Sequence, residues 1–274
     1  MKVGFLGGGN MAQALMGGLQ ARHGDDIGFV VVEPHAPTRD IVARFVRTAT
    51  LHDVPSADLA GCDAVVVAVK PQTVREALTT AARWLDRPLV VSIAAGIRTR
   101  EIARWLGAGH ADRAIVRAMP NTPALIGEGI AGLYAVPAVE ARQRELAERL
   151  LGAVGQTLWV AEESLLDAVT AVSGSGPAYV FAFIEALQQA GRDAGLSDDD
   201  ARRLAIATFV GASRLAADSA EPVGVLRERV TSKGGTTYAA LTRLAERGVA
   251  AAIGAAVQAA ARRATEMGDE FGRD

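Results

Sequence analysis

A single cysteine, Cys62, stands among the 274 residues, so no internal disulfide can form and the chain suits a reducing compartment such as the cytoplasm. Excess charge of one sign is also missing. The formal net charge is −2, and the 29 basic residues are spread along the chain instead of forming a stripe, which argues against a nucleic-acid partner. Long apolar runs are lacking too. The uncharged stretch Ala168 to Ile184 carries two glycines and a proline, and Gly7 breaks the apolar start, so neither a membrane span nor a signal peptide is expected. The four histidines, His23, His35, His52 and His110, have no metal-ligand spacing, and no metal site is expected. What remains is a hydrophobic half of the residues and a length sufficient for two domains.

The chain is organised around Met1 to Ala12, MKVGFLGGGNMA. Val3, Phe5 and Leu6 read as a buried first strand, and Asn10 onward reads as a helix. Gly7, Gly9 and Ala12 between them fit G-x-G-x-x-[GA], the dinucleotide fingerprint in its required context. Gly7 permits the tight turn, Gly9 lets the backbone approach a pyrophosphate, and Ala12 allows close helix–strand packing. The free N–H groups of the new helix then face the anion.

Apolar runs predict further strands over Ile27 to Val32, Asp63 to Val69, Pro88 to Ile93, Arg113 to Ala118, Gly129 to Val136 and Thr157 to Val160, with a helix over Ala138 to Leu151. Glu33 closes the second strand about 20 residues beyond the glycines, where an acid hydrogen-bonds the ribose 2′-OH and favours NAD over NADP. His35 and Arg39 lie just beyond it and could instead meet a 2′-phosphate, so both cofactors stay open. Lys70 ends its strand on the ligand side, as a solvated charge or a cofactor contact. Ala94-Ala95-Gly96 is a small-residue turn that lets backbone approach a flat ring, or simply a packing turn. The two prolines of Met119 to Pro123 specify a rigid loop. This texture predicts an α/β fold: a Rossmann-type doubly wound sheet over residues 1–161, followed by an all-helical domain over 162–274.

The helical part reads as Ser164 to Val172, Pro177 to Gly195, Ser197 to Asp218, Val223 to Val230, Thr236 to Glu246 and Val249 to Met267. Its alanine-rich helices carry more apolar surface than a small bundle covers, which predicts oligomerisation. Asp198-Asp199-Asp200 after Ser197 read as a helix cap and dipole partners, not as metal ligands. Two stretches suggest chemistry. Ser173 to Tyr179 (SGSGPAY) places a proline in the first turn of a helix after glycines, either an anion-facing helix start or an ordinary interhelical loop. Ser232 to Thr237 (SKGGTT) opens a helix with two glycines and two threonines, a cradle for a small carboxylate or a flexible hinge.

Taken in order, the blocks GFLGGGNMA, AVKPQ, SIAAG, MPNTP, LLDAVTAVSGSGPAY and VTSKGGTTYAAL resemble the pyrroline-5-carboxylate reductase family over essentially the full chain. The resemblance implies reduction of Δ1-pyrroline-5-carboxylate to L-proline with NADPH or NADH. It places the pyrophosphate on Leu6, Gly7, Gly8, Gly9, Asn10 and Met11, and lines the ribose and nicotinamide side with Val69, Lys70, Ala95 and Gly96. It assigns Glu163 to the substrate ring, and Gly234, Gly235, Thr236 and Thr237 to the substrate carboxylate. Thr237 is also the catalytic candidate, through a hydrogen bond to the ring nitrogen. A homodimer built further into a decamer is implied. Three positions depart from the family pattern: Lys233 stands in place of a frequent proline, Pro55-Ser56 in place of an asparagine, and Glu33-Pro34 in place of small polar residues.

Two other readings compete. A β-hydroxyacid dehydrogenase shares the opening motif, but places a lysine and an asparagine after its Gly-Ser-Gly, and Pro177 to Ile184 has neither. A nucleotide-binding sensor without turnover would need no second carboxylate cradle.

Overall fold

The computed structural model describes residues 1–107 and 113–273, so His110 lies outside the described residues. Eight strands form one sheet: β1 (Lys2–Leu6), β2 (Gly28–Val32), β3 (Ala49–His52), β4 (Ala64–Val67), β5 (Leu89–Ser92), β6 (Ile115–Met119), β7 (Gly129–Ala135) and β8 (Gly155–Trp159). Their order is β3-β2-β1-β4-β5-β6-β7-β8. The first six follow the dinucleotide-binding order 3-2-1-4-5-6, and among the described residues only the β6–β7 pair is antiparallel. Val3 pairs with Phe29 on one side and Ala64 on the other, which fixes the central register.

The helices are α1 (Asn10–His23), α2 (Ala36–Phe45), α3 (Val74–Ala81), α4 (Thr99–Trp105), α5 (Ala141–Gly152), α6 (Leu165–Val169), α7 (Gly176–Asp193), α8 (Asp198–Asp218), α9 (Val223–Arg229), α10 (Thr236–Glu246) and α11 (Val249–Gly272). Side chains alternate across the sheet, so its apolar strands feed two cores. Val3, Phe5, Phe29, Val31 and Val66 pack with Leu15, Met16 and Leu19 of α1 and with Leu150 of α5. Leu6, Val30, Val65, Val67 and Val90 pack on the other face with Val74 and Leu78 of α3 and with Ile102 of α4. This two-faced burial is why the central strands read as continuous apolar runs and why the fold is doubly wound.

By internal contacts the chain falls into two compact units, Met1–Ser175 with Ala260–Asp274, and Gly176–Ala259. The division expected from composition, at 161/162, follows the end of the last strand. In space, α6 and the π-helical turn after it (Thr170–Gly174) stay with the sheet. A Cβ on Gly132 of β7 would lie 2.7 Å from a Val169 methyl, and one on Gly174 would lie 2.7 Å from the Met119 methyl. The last half of α11 also belongs to the first unit. It packs Met267 and Phe271 against Gly96, whose φ of +74° and close neighbours leave no room for a side chain. Arg98 clasps the same segment, pairing with Asp269 at 2.7 Å and donating to the Thr265 carbonyl at 3.3 Å.

The second unit, α7 to α10 with the first half of α11, is held differently. Among its residues only Ala201 and Ala205 are buried, while Phe181, Leu204, Leu215 and Ile253 are exposed. α7 and α8 pack on each other with Phe183 and Phe209 stacked at 6.5 Å. No helix among the described residues is long and apolar enough to cross a membrane.

Candidate active site

In a parallel α/β sheet, ligands bind beyond the carboxyl ends of the strands, where the strand order reverses. Here that point lies between β1 and β4, and a cavity of ≈ 470 Å³ opens there. Leu6, Gly7, Gly9, Glu33, Val69 and Lys70 of the expected cofactor residues line it. A larger cleft of ≈ 750 Å³ lies at the amino ends of the strands, beside Met1, Asp63 and Arg87. Its volume is not a reason to prefer it, because strand carboxyl ends and an open helix start meet only in the smaller cavity.

The glycines of that cavity have distinct duties. Gly7 has φ +98°, and a Cβ there would lie 2.9 Å from the Ala68 carbonyl oxygen and from a Val69 methyl. Its N–H still donates to the Val32 carbonyl at 2.8 Å, so β1 turns sharply without leaving the β2 ladder. Gly9 is the N-cap of α1, and a Cβ there would meet nothing within 4 Å, so the backbone is bare towards the cavity. No side chain caps α1 and no acid stands in its first turn. Unused N–H groups with a positive dipole end suit a pyrophosphate, so the residues present fit a dinucleotide.

The other expected cofactor residues sit apart from the cavity wall. The Gly8 N–H donates to Glu33 Oε2 at 2.9 Å, and its carbonyl accepts from the Gln13 amide at 2.7 Å, which pins the loop. Asn10 opens α1 and lines an adjoining cavity with Gln13 and Leu125, and Met11 packs against the core. Ala95 and Gly96 form the turn after β5, beneath Met267 and Phe271.

Glu163 sits in a network that sequence reasoning largely missed. Its Oε1 accepts from the Thr99 N–H at 2.7 Å and its Oε2 from the Thr99 hydroxyl at 2.8 Å, at the start of α4. Arg117 of β6, only 4 % exposed, reaches Glu163 at 3.3 Å and Asp167 at 3.9 Å. Asp167 also accepts from the Thr265 hydroxyl at 2.8 Å. A buried guanidinium requires such partners. The signal was legible in principle, since Arg117 interrupts the otherwise apolar Ile115-Val116-Arg117-Ala118. Glu163 therefore ties the segment after β5 to the segment before α6.

In the second unit the SKGGTT stretch forms the N-terminus of α10. Gly234 adopts φ +73°, and the Gly235 N–H donates to the Ser232 carbonyl at 3.0 Å, closing the bend. A Cβ on Gly235 would press on the Ser232 hydroxyl, which would have to rotate away, so the bend's need for glycine is strongest at Gly234 with its positive φ. Gly235 is the N-cap of α10, again with no side-chain cap and no acid in the first turn. Among the described residues the hydroxyls of Thr236 and Thr237 have no partner. The arrangement can hold a small anion by backbone N–H and two hydroxyls. Among the described residues no three His, Cys, Asp or Glu side chains gather to hold a metal.

Comparison with known proteins gives these two uncapped helix starts a context. The family model described as pyrroline-5-carboxylate reductase dimerisation matches residues 163–267, and one described as NADP oxidoreductase, coenzyme F420-dependent, matches residues 2–96. The chain is 41% identical over 273 residues to a Pseudomonas aeruginosa pyrroline-5-carboxylate reductase, covering 99% of this chain and 98% of that one. The structure of a pyrroline-5-carboxylate reductase from Coxiella burnetii superposes with a TM-score of 0.90 at 36% identity, covering 97% of each chain. A Plasmodium falciparum pyrroline carboxylate reductase solved with NADP bound gives 0.83 at 30% identity over 98% of each chain. With likeness of this extent in both sequence and backbone, the chain belongs to the pyrroline-5-carboxylate reductase family.

Proposed function

We propose that this protein reduces Δ1-pyrroline-5-carboxylate to L-proline with NADPH or NADH. The observation that carries the reading is the 41% identity to a pyrroline-5-carboxylate reductase over 273 residues, which spans both helix-start cradles. The first unit holds the dinucleotide, with Leu6 to Met11 at the pyrophosphate and Val69, Lys70, Ala95 and Gly96 on the ribose and nicotinamide side. When bound, the reduced dinucleotide supplies a hydride for the imine carbon.

The chain's own residues bind, aim and protonate. The N–H groups that follow Gly235, with the Thr236 hydroxyl, grip the substrate carboxylate and so fix which face of the ring is presented. The Thr237 hydroxyl donates to the ring nitrogen, or relays a proton to it. Its own acidity is too weak for it to be the sole acid, so the iminium form of the substrate is the competent electrophile. Glu163, joined to Thr99 and Arg117, steadies the segment that follows Ala95 and Gly96 and retains acceptor capacity for the ring.

Residues 1–161 act as the NAD(P)-binding domain and 162–274 as the dimerisation and substrate domain, in a cytoplasmic homodimer assembled into a decamer. The exposed apolar side chains of α7, α8 and α11 support the dimer. The test is a steady-state assay with pyrroline-5-carboxylate and either dinucleotide, followed at about 340 nm, the dihydronicotinamide band. Substrate-dependent loss of absorbance with proline as product is expected. Turnover of hydroxy acids instead, or cofactor binding without turnover, would overturn the reading.

A further inference from the structure

Building on the dinucleotide reading of the β1–β4 cavity, we propose that Glu33 makes this chain select NADH over NADPH. Glu33 follows β2 directly and lines the cavity with Gly7 and Gly9. Its carboxylate is held by the main chain. Oε2 accepts from the Gly8 N–H and Oε1 from the His35 N–H, each at 2.9 Å. The side chain is also packed, since a Cβ on Gly8 would lie 3.5 Å from Glu33 Cβ and Cγ. A carboxylate tethered at both oxygens keeps further lone pairs and cannot swing away. It suits the hydroxyl donors of an unmodified ribose, and it repels a phosphate in the same place.

The surrounding charges point the same way. Three acids, Glu33, Asp53 and Glu76, line the cavity against one base, Lys70. The cation nearest to Glu33 in sequence, Arg39, is turned to the backbone. Its Nη1 donates to the carbonyls of Glu33 at 2.6 Å and Pro34 at 2.7 Å, and Arg39 forms no part of the cavity lining. The His35 ring is engaged with the Thr38 hydroxyl at 3.0 Å. A 2′-phosphate bringing roughly two negative charges would therefore meet a fixed anion in an acidic cavity.

The experiment is direct titration of the purified full chain with NADH and with NADPH, without substrate, by calorimetry or by the fluorescence of the bound dihydronicotinamide. NADH is expected to bind on the order of tenfold more tightly, with the gap narrowing as salt screens the repulsion. Glu33→Gln, which keeps one acceptor oxygen for the loop, should bring the two dissociation constants within about threefold. Arg39→Ala should leave their ratio unchanged, because Arg39 does not serve a phosphate. NADPH binding as tightly as NADH to the native chain would overturn the proposal, as would a selective loss of NADPH affinity in Arg39→Ala. If neither dinucleotide binds, the function proposed above fails with it.

Discussion

At the scale of single residues, the site depends on positions where one side chain too many or too few changes the outcome. Gly7 is the sharpest case. Alanine there would have to hold φ +98° and press on the Ala68 carbonyl. Gly7→Ala should lower stability by about 1–3 kcal/mol and weaken dinucleotide binding more than tenfold, read by thermal melting and by titration. Thr237→Val keeps shape but removes the hydroxyl. It should lower kcat by on the order of tenfold or more, and an unchanged kcat would remove Thr237 from the chemistry. Cys62 is buried, and burial pushes its thiol up to about 11 from the ordinary thiol value of 9.0. It should resist a thiol reagent at pH 8 in the folded chain and react fully after denaturation. The unfolded thiol ionises first, so its contribution to stability is complete below about pH 9 and is lost as pH rises towards 11.

At the scale of elements, the central strands were legible because strands buried on both faces are written as unbroken apolar runs. β3 was not. Ala49–His52 is a short, half-exposed edge strand without such a run. The Gly-rich start of α1 and the start of α10 were both recognisable, because each needs glycine for a physical reason. The Thr99–Glu163–Arg117 network was not, since it joins residues far apart in sequence and only Arg117 breaks a local pattern. α11 shows the same limit. Its composition is alanine-rich from Ala250 to Ala264, across the boundary, and nothing in that run marks Ala260 as the point where it joins the first unit. Its packing on Gly96 makes a prediction. Phe271→Ala should lower stability by about 2 kcal/mol, less than a fully buried Phe would. It should also raise the KM for the dinucleotide more than it lowers kcat, because the loosened turn belongs to cofactor binding.

At the scale of the whole molecule, the two units differ in how they are stabilised. The first has two apolar cores on either side of a sheet. The second buries only two alanines of its own, far too little to offset the ordering of its backbone. In the homodimer proposed above, a second copy covers this surface. Phe181→Glu together with Leu215→Glu should shift sedimentation to smaller species and lower the melting temperature, whereas the native chain should remain oligomeric on dilution. The compositional change after Glu162 was visible in the sequence. The return of Ala260–Gly272 to the sheet was not, because it is a tertiary choice of partner.

That return has a consequence for synthesis. A ribosome delivers residues 1–175 first, yet the stretch that closes over Gly96 leaves the exit tunnel only after residues 176–259 have followed. The nucleotide unit thus waits, nearly assembled, for its final piece, and a nascent chain stalled before Ala260 would expose the bare turn it was meant to cover.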